Sequence, residues 1–157
     1  MPNFVLGENC VAYYDATTVT ASDNATLLTA ITAAASTGVI SNVKDLKINL
    51  TADKADISTR AGAGWKATVP TLKDGSVTFG MLWKPGDVNF AALLAAYLAG
   101  SEVFFAALDG VYSVSGNQGI AGNFTVSNFS RNEPLTGAVE VEVELSPSSF
   151  TGWFKHA

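Results

Sequence analysis

The chain is short of charge, cysteine and histidine, and each shortage removes a class of function. Of its 157 residues only 15% are charged, one is cysteine and one is histidine. The single cysteine, Cys10, excludes an intramolecular disulfide and a cysteine-based zinc cluster. We expect it as a small buried hydrophobe in a strand running to Tyr14. His156 stands next to the last residue, a poor anchorage for the base that nucleophilic catalysis usually needs. There is no Gly-X-Ser-X-Gly elbow, no GxxxxGK[ST] phosphate loop and no GxGxxG after a strand. Gly62-Ala63-Gly64 begins like the last of these, but no helix pattern follows it. Long apolar runs are missing too, since none reaches the roughly 20 residues that cross a bilayer. The opening MPNFVLGENC lacks a basic region and a continuous apolar stretch, so no signal peptide is expected. These absences predict a protein that is not an enzyme, with no cofactor, no bound metal and no membrane anchor. The formal net charge of −5 argues against a basic nucleic-acid-binding patch.

What is present is apolar pattern. Nearly half the residues are hydrophobic and mean hydropathy is positive, enough for one domain with a real core. A surface this poor in charge suggests that much of it is covered by protein. Val77, Phe79, Met81 and Trp83 fall two apart and share one face of a strand. Lys84-Pro85-Gly86-Asp87 stops it, and Asp87 is a good helix N-cap. Phe90, Leu93, Leu94, Tyr97 and Leu98 then carry helical spacing to a stop at Gly100, which predicts a helix over about residues 87–99. Ser22-Asp23-Asn24 predicts a second helix start, with Leu27, Leu28 and Ile31 as its stripe and Gly38 as its end.

The remaining segments read mainly as strands. VKDLKINLT from Val43 places Leu46, Ile48 and Leu50 on one face. Glu102 to Leu108 is apolar on both faces, as a central strand should be. From Gly119 to Arg131, Phe124 and Val126 alternate with Asn123, Thr125 and Ser127. Val139, Val141, Val143 and Leu145 alternate with Glu140, Glu142 and Glu144. Residues of about 52–73 form a long loop or hairpin, and about 146–157 a C-terminal tail. Four Asn-X-Ser/Thr sequons, at Asn24, Asn49, Asn123 and Asn128, follow from a Thr- and Asn-rich composition. The count of strands and helices predicts a mainly β fold, a β-sandwich or partly closed barrel with a flanking helix.

Three groups of residues are candidates for function. Glu140, Glu142 and Glu144 lie about 6.6 Å apart along one strand face, too widely spaced to converge on one Ca²⁺. They are not placed across a cleft as a glycosidase would require. The excursion carrying Asp53, Lys54, Asp56, Arg60 and Trp65 is long enough to reach a neighbour. Ala91, Ala92, Ala95 and Ala99 make a smooth helix face suited to close approach.

The order of segments resembles that of the major tail tube protein of long-tailed, non-contractile bacteriophages of the lambda-like kind. The resemblance rests on Val43-Lys44-Asp45, Gly64-Trp65-Lys66-Ala67-Thr68, Thr71 to Ser76, Leu82 to Gly86 and the NFSRNEPL run Asn128 to Leu135. It covers about residues 40–146. It implies a subunit of hexameric rings stacked into a hollow tube, with DNA passing through the lumen without specific binding. It further implies an initiator or tape-measure protein as partner, and a place in the virion after assembly in the host cytoplasm. On that reading the Glu140, Glu142 and Glu144 row faces the lumen, where its charge repels sliding DNA. The excursion reaches the next ring or subunit, and the alanine face meets a neighbour. Two alternatives stand: a monomeric β-sandwich binding module with Trp65 or Trp83 in its pocket, and a secretion-system tube subunit.

Overall fold

A computed structural model describes residues 4–157. After a short 3₁₀ turn at Gly7–Asn9, the elements in order are β1 (Val11–Asp15), α1 (Asn24–Thr37), β2 (Val43–Asp56), β3 (Thr68–Leu82) and α2 (Val88–Ala99). Then come β4 (Glu102–Leu108), β5 (Gln118–Asn132) and β6 (Glu140–Lys155). The expected mainly β fold with a flanking helix is what is observed. Its strands form one antiparallel six-stranded sheet in the order β1-β4-β5-β6-β3-β2, and that sheet is not closed.

The sheet curls strongly. Phe79 of β3 and Phe105 of β4 are three strand steps apart, which would be roughly 14 Å on a flat sheet. Their rings instead stack with centroids 5.5 Å apart. The two limbs of the sheet therefore pack face to face across a core of Val77, Phe79, Met81, Val141, Val143 and Leu145 against Phe105 and Phe124. Helix α2 closes that core with Phe90, Leu93 and Ala96. Asp87 caps it as expected: its Oδ1 accepts from the backbone N–H groups of Asn89 (3.0 Å) and Phe90 (3.1 Å). Asp87→Ala should cost about 1 kcal/mol and lower Tm by roughly 2–4 °C, checked by thermal unfolding.

Strand β4 is buried on both faces because a second core lies behind it. Phe104, Ala106 and Leu108 turn away from Phe105 and meet Leu27, Ile31 and Ala34 of α1. Helix α1 starts where Asp23 accepts from Thr26 N–H at 3.0 Å, and these Thr26 hydrogen bonds hold the Asp23 carboxyl below its usual range. Asn24 then fastens α1 to the sheet, donating to Lys155 O at 2.9 Å and accepting from Lys155 N–H at 3.1 Å.

Two expectations are corrected. Cys10 is exposed, because it precedes β1 rather than lying within it. The segment after Leu145, expected as a tail, continues β6 to Lys155. The strand survives Pro147 because the pairing with β5 is irregular there, and Phe150 takes a left-handed φ of 48°. This irregularity turns Phe154 into the α1 core, where it is fully buried.

Candidate assembly surfaces

Strands β5, β6, β3 and β2 present a polar face on the side away from the main core. Glu140, Glu142 and Glu144 lie along its middle, opposite Asn132, Ser130 and Asn128 of β5 and opposite Leu82, Gly80 and Thr78 of β3. Lys44 and Lys47 stand one strand further, in register with Gly80 and Thr78. The acidic row is thus partly compensated. Lys44 Nζ donates to Glu140 Oε1 at 2.8 Å, a contact that raises the lysine pKa. The glutamate pattern alone does not place these lysines, since pairing across two strands sets them there.

Both borders of this face are unpaired. Beyond β2 no strand follows in the sheet among the described residues. On the other side, β4 accompanies β5 only as far as Thr125, so residues 126–132 of β5 have no partner outward among the described residues. The free backbone donors and acceptors of such edges are templates for pairing with another chain.

The excursion is a two-stranded arm. Pairing of β3 with β6 begins only at Val77, whereas β2 and β3 stay paired out to Asp56 and Thr68, roughly 30 Å further. Neither face of this ribbon is covered, and isolated two-stranded ribbons are marginal in water. Asp53, Lys54 and Asp56 lie along it, and Arg60 and Trp65 at its tip. Trp65 is 83% exposed. The tip is ordered locally: Ser58 N–H donates to Asp56 Oδ1 at 2.8 Å, and Ala67 N–H donates to Ser58 Oγ at 2.8 Å. The Ser58 contacts hold the Asp56 carboxyl below its usual range.

On α2, Ala91, Ala95 and Ala99 are exposed, while Ala92 is half-buried against the core. Val88 and Leu98, 80% and 75% exposed, extend the same stripe, so the helix is apolar on its outer side as well as its inner one. A helix apolar all round is normally covered. The two tryptophans that a ligand pocket would use are apart: Trp65 is on the arm, and Trp83 packs against Phe90 at 4.9 Å beneath the Arg131 guanidinium. Trp153, at the end of the expected tail, instead lines a groove of about 850 Å³ where the curled sheet fails to close between β1 and β2.

No family model matches the sequence, and no curated protein does. Solved structures do match. The fold is similar to one in the tail of an empty gene transfer agent particle refined with C6 symmetry, at TM-score 0.68 and 14% identity, covering 97% of this chain and 98% of that one. It is also similar to the SPP1 tail tube, at TM-score 0.63 and 15% identity, covering 98% of this chain and 79% of that one. A third likeness is to the sheath–tube complex of an extracellular contractile injection system in its extended state. There the TM-score is 0.59 and the identity 8%, covering 98% of this chain and 93% of that one. At these identities the likeness is one of fold, and the chain has a tail-tube-like fold.

Proposed function

We propose that this chain is the non-enzymatic structural subunit of a phage-type tail tube. On this reading copies join side by side into rings, the rings stack, and DNA passes through the bore during ejection. The observation that carries it is the polar four-stranded face bounded by two free edges, β2 on one side and residues 126–132 of β5 on the other. Joining one copy's β2 to the next copy's β5 is a head-to-tail contact, and such contacts close into rings when the rotation allows. A closed sheet has no edges left to aggregate. Its polar face then becomes the wall of the bore, with Glu140, Glu142 and Glu144 lining it. The C6 symmetry of the gene transfer agent tail supports six copies per ring. The uncovered stripe of α2, carrying Ala91, Ala95 and Ala99, is buried against a neighbour, and the arm with Asp53, Lys54, Asp56, Arg60 and Trp65 bridges to another copy. An initiator or tape-measure protein sets where the tube starts, and the subunit resides in the virion after assembly in the host cytoplasm.

The test is electron microscopy of the purified protein over a range of concentrations, paired with its mass in solution. Rings or tubes with a central hole are expected. A particle that remains monomeric at every concentration, alone and with an added tail initiator, would sink the proposal. The likeness to the injection-system complex favours a second reading, a tube subunit of a secretion-like device, with the same assembly and a protein cargo instead of DNA. Tubes carrying no DNA during function would select it.

A further inference from the structure

We propose that the tip of the β2–β3 arm of one copy seats in the groove between β1 and β2 of a second copy. This rests on the tube reading and names the receptor for its arm. The groove has an apolar floor that includes Ala12, Ile40, Leu46 and Ile48, and its charged lining residues are Glu8, Asp45 and Asp109, all acidic. The tip, Ile57 to Ala67, carries Arg60 and Lys66 and no acidic residue. The exposed Trp65 and Ile57 supply the apolar part. A buried aromatic with an arginine beside it is the composition that dominates binding energy at interfaces. Sites of about 300–1,000 Å³ bury a drug-sized group, so a groove of about 850 Å³ has room for the Trp65 indole together with Ile57. Trp153 stands at its wall, its Nε1–H donating to Gln118 Oε1 at 3.0 Å, and offers a ring face to an incoming guanidinium.

The charge of the whole chain is divided in the same sense. Seven of its nine Lys and Arg residues lie between positions 43 and 84, and ten of its fourteen Asp and Glu residues lie outside that span. A basic hairpin and an acidic body repel within each class and attract across it, which sets partner and orientation.

The contact is between copies. Ile48 at the groove and Ile57 at the tip belong to one continuous excursion, separated by roughly 30 Å of extended chain. The paired β3 strand stiffens that span and prevents the tip from folding back on its own groove. One tip and one groove per copy, on different parts of the molecule, make a contact that propagates without closing. That is the symmetry of stacking, distinct from the edge-to-edge joining of a ring.

Cys10 provides the test, because it is the only cysteine and it lines the groove. Ala61→Cys places a second thiol on the exposed tip without touching Arg60 or Trp65. The full-length variant is treated with a short bis-maleimide at assembling concentration, imaged by electron microscopy, and run on a denaturing gel. The expected result is a ladder of covalent multimers whose linked peptides join Cys10 to position 61. The ladder should vanish with Cys10→Ser and fall at least tenfold with Trp65→Ala. Tubes that form with no Cys10-to-61 link, or with links between tips alone, would overturn the docking while leaving the tube reading intact. Cys10-to-61 multimers without rings or tubes would uphold the docking and count against the tube. Unlinked monomers throughout, with an added tail initiator as well as without, would overturn both.

Discussion

Asn123→Ala is expected to destabilise the protein by about 3 kcal/mol, with Tm falling by roughly 6–12 °C, a larger loss than removing the Asp87 cap. Asn123 is the one buried polar residue of the core among the described residues, 1% exposed. Its Oδ1 accepts from Val19 N–H at 2.8 Å, and its Nδ2 donates to Val19 O at 2.8 Å and to Ser149 Oγ at 3.1 Å. The side-chain amide thus takes the place of a neighbouring strand for Val19, in the segment that leads into α1. Alanine removes both partners of a buried peptide group, and each orphaned group costs about 1–3 kcal/mol. Asn123→Asp restores the acceptor alone and should do no better, because it adds a buried charge. Urea unfolding measures the loss, and amide exchange at Val19 locates it. A cost under about 1 kcal/mol, with the Val19 amide still protected, would show that the clamp is dispensable.

The second large effect concerns transport. Glu140→Lys, Glu142→Lys and Glu144→Lys together turn three negative charges into three positive ones in every copy. Lys44 and Lys47 already share that face, so the triple variant presents five cations and no anion among these positions. If the face lines the bore, DNA is held by counterion release instead of being repelled, and release from assembled particles should fall at least about tenfold. The fold should tolerate the change. Glu140 and Glu142 are exposed and Glu144 half-buried, so surface substitutions there cost about 0.5 kcal/mol or less each, and losing the solvent-screened Lys44–Glu140 pair adds little. Micrographs of the variant should therefore contain normal tubes. Normal tubes with unchanged DNA release would put this face on the outside. The effect should shrink as salt is raised, since mobile ions screen the added lysines.

Some elements are legible in the sequence because local chemistry decides them. Helix α2 is readable from end to end: Asp87 caps it, the stripe from Phe90 has one period, and Gly100 ends it in the left-handed conformation with φ 63°. The Val/Glu half of β6 is equally clear, because one face is core and the other polar. Its second half is hidden by Pro147 and a run of serines, residues that ordinarily break strands. Only the irregular pairing with β5 lets the strand go on and bring Phe154 inside. Alternation puts Asn123 with Thr125 and Ser127 on the polar side of β5. Nothing local says that α1 and its leading segment cover that side, and burial there depends on residues a hundred positions away. Asn24 likewise reads as part of a helix start and as a sequon of composition, whereas its amide is a tether for Lys155. Of the candidate site, the residue types are visible and their company is not. Lys44 and Lys47 join the glutamate row through pairing across two strands, and the groove exists only because the sheet curls without closing.

Neither helix contains a side chain that is charged near neutral pH: α1 reads NATLLTAITAAAST and α2 reads VNFAALLAAYLA. Any contact made through them therefore carries no charge to switch there, and little for mobile ions to screen. The charged arm and the glutamate face will respond to the salinity of the surroundings, but the uncharged helical contacts will hold across it. On the tube reading, this places environmental endurance and environmental sensitivity on separate parts of one small chain.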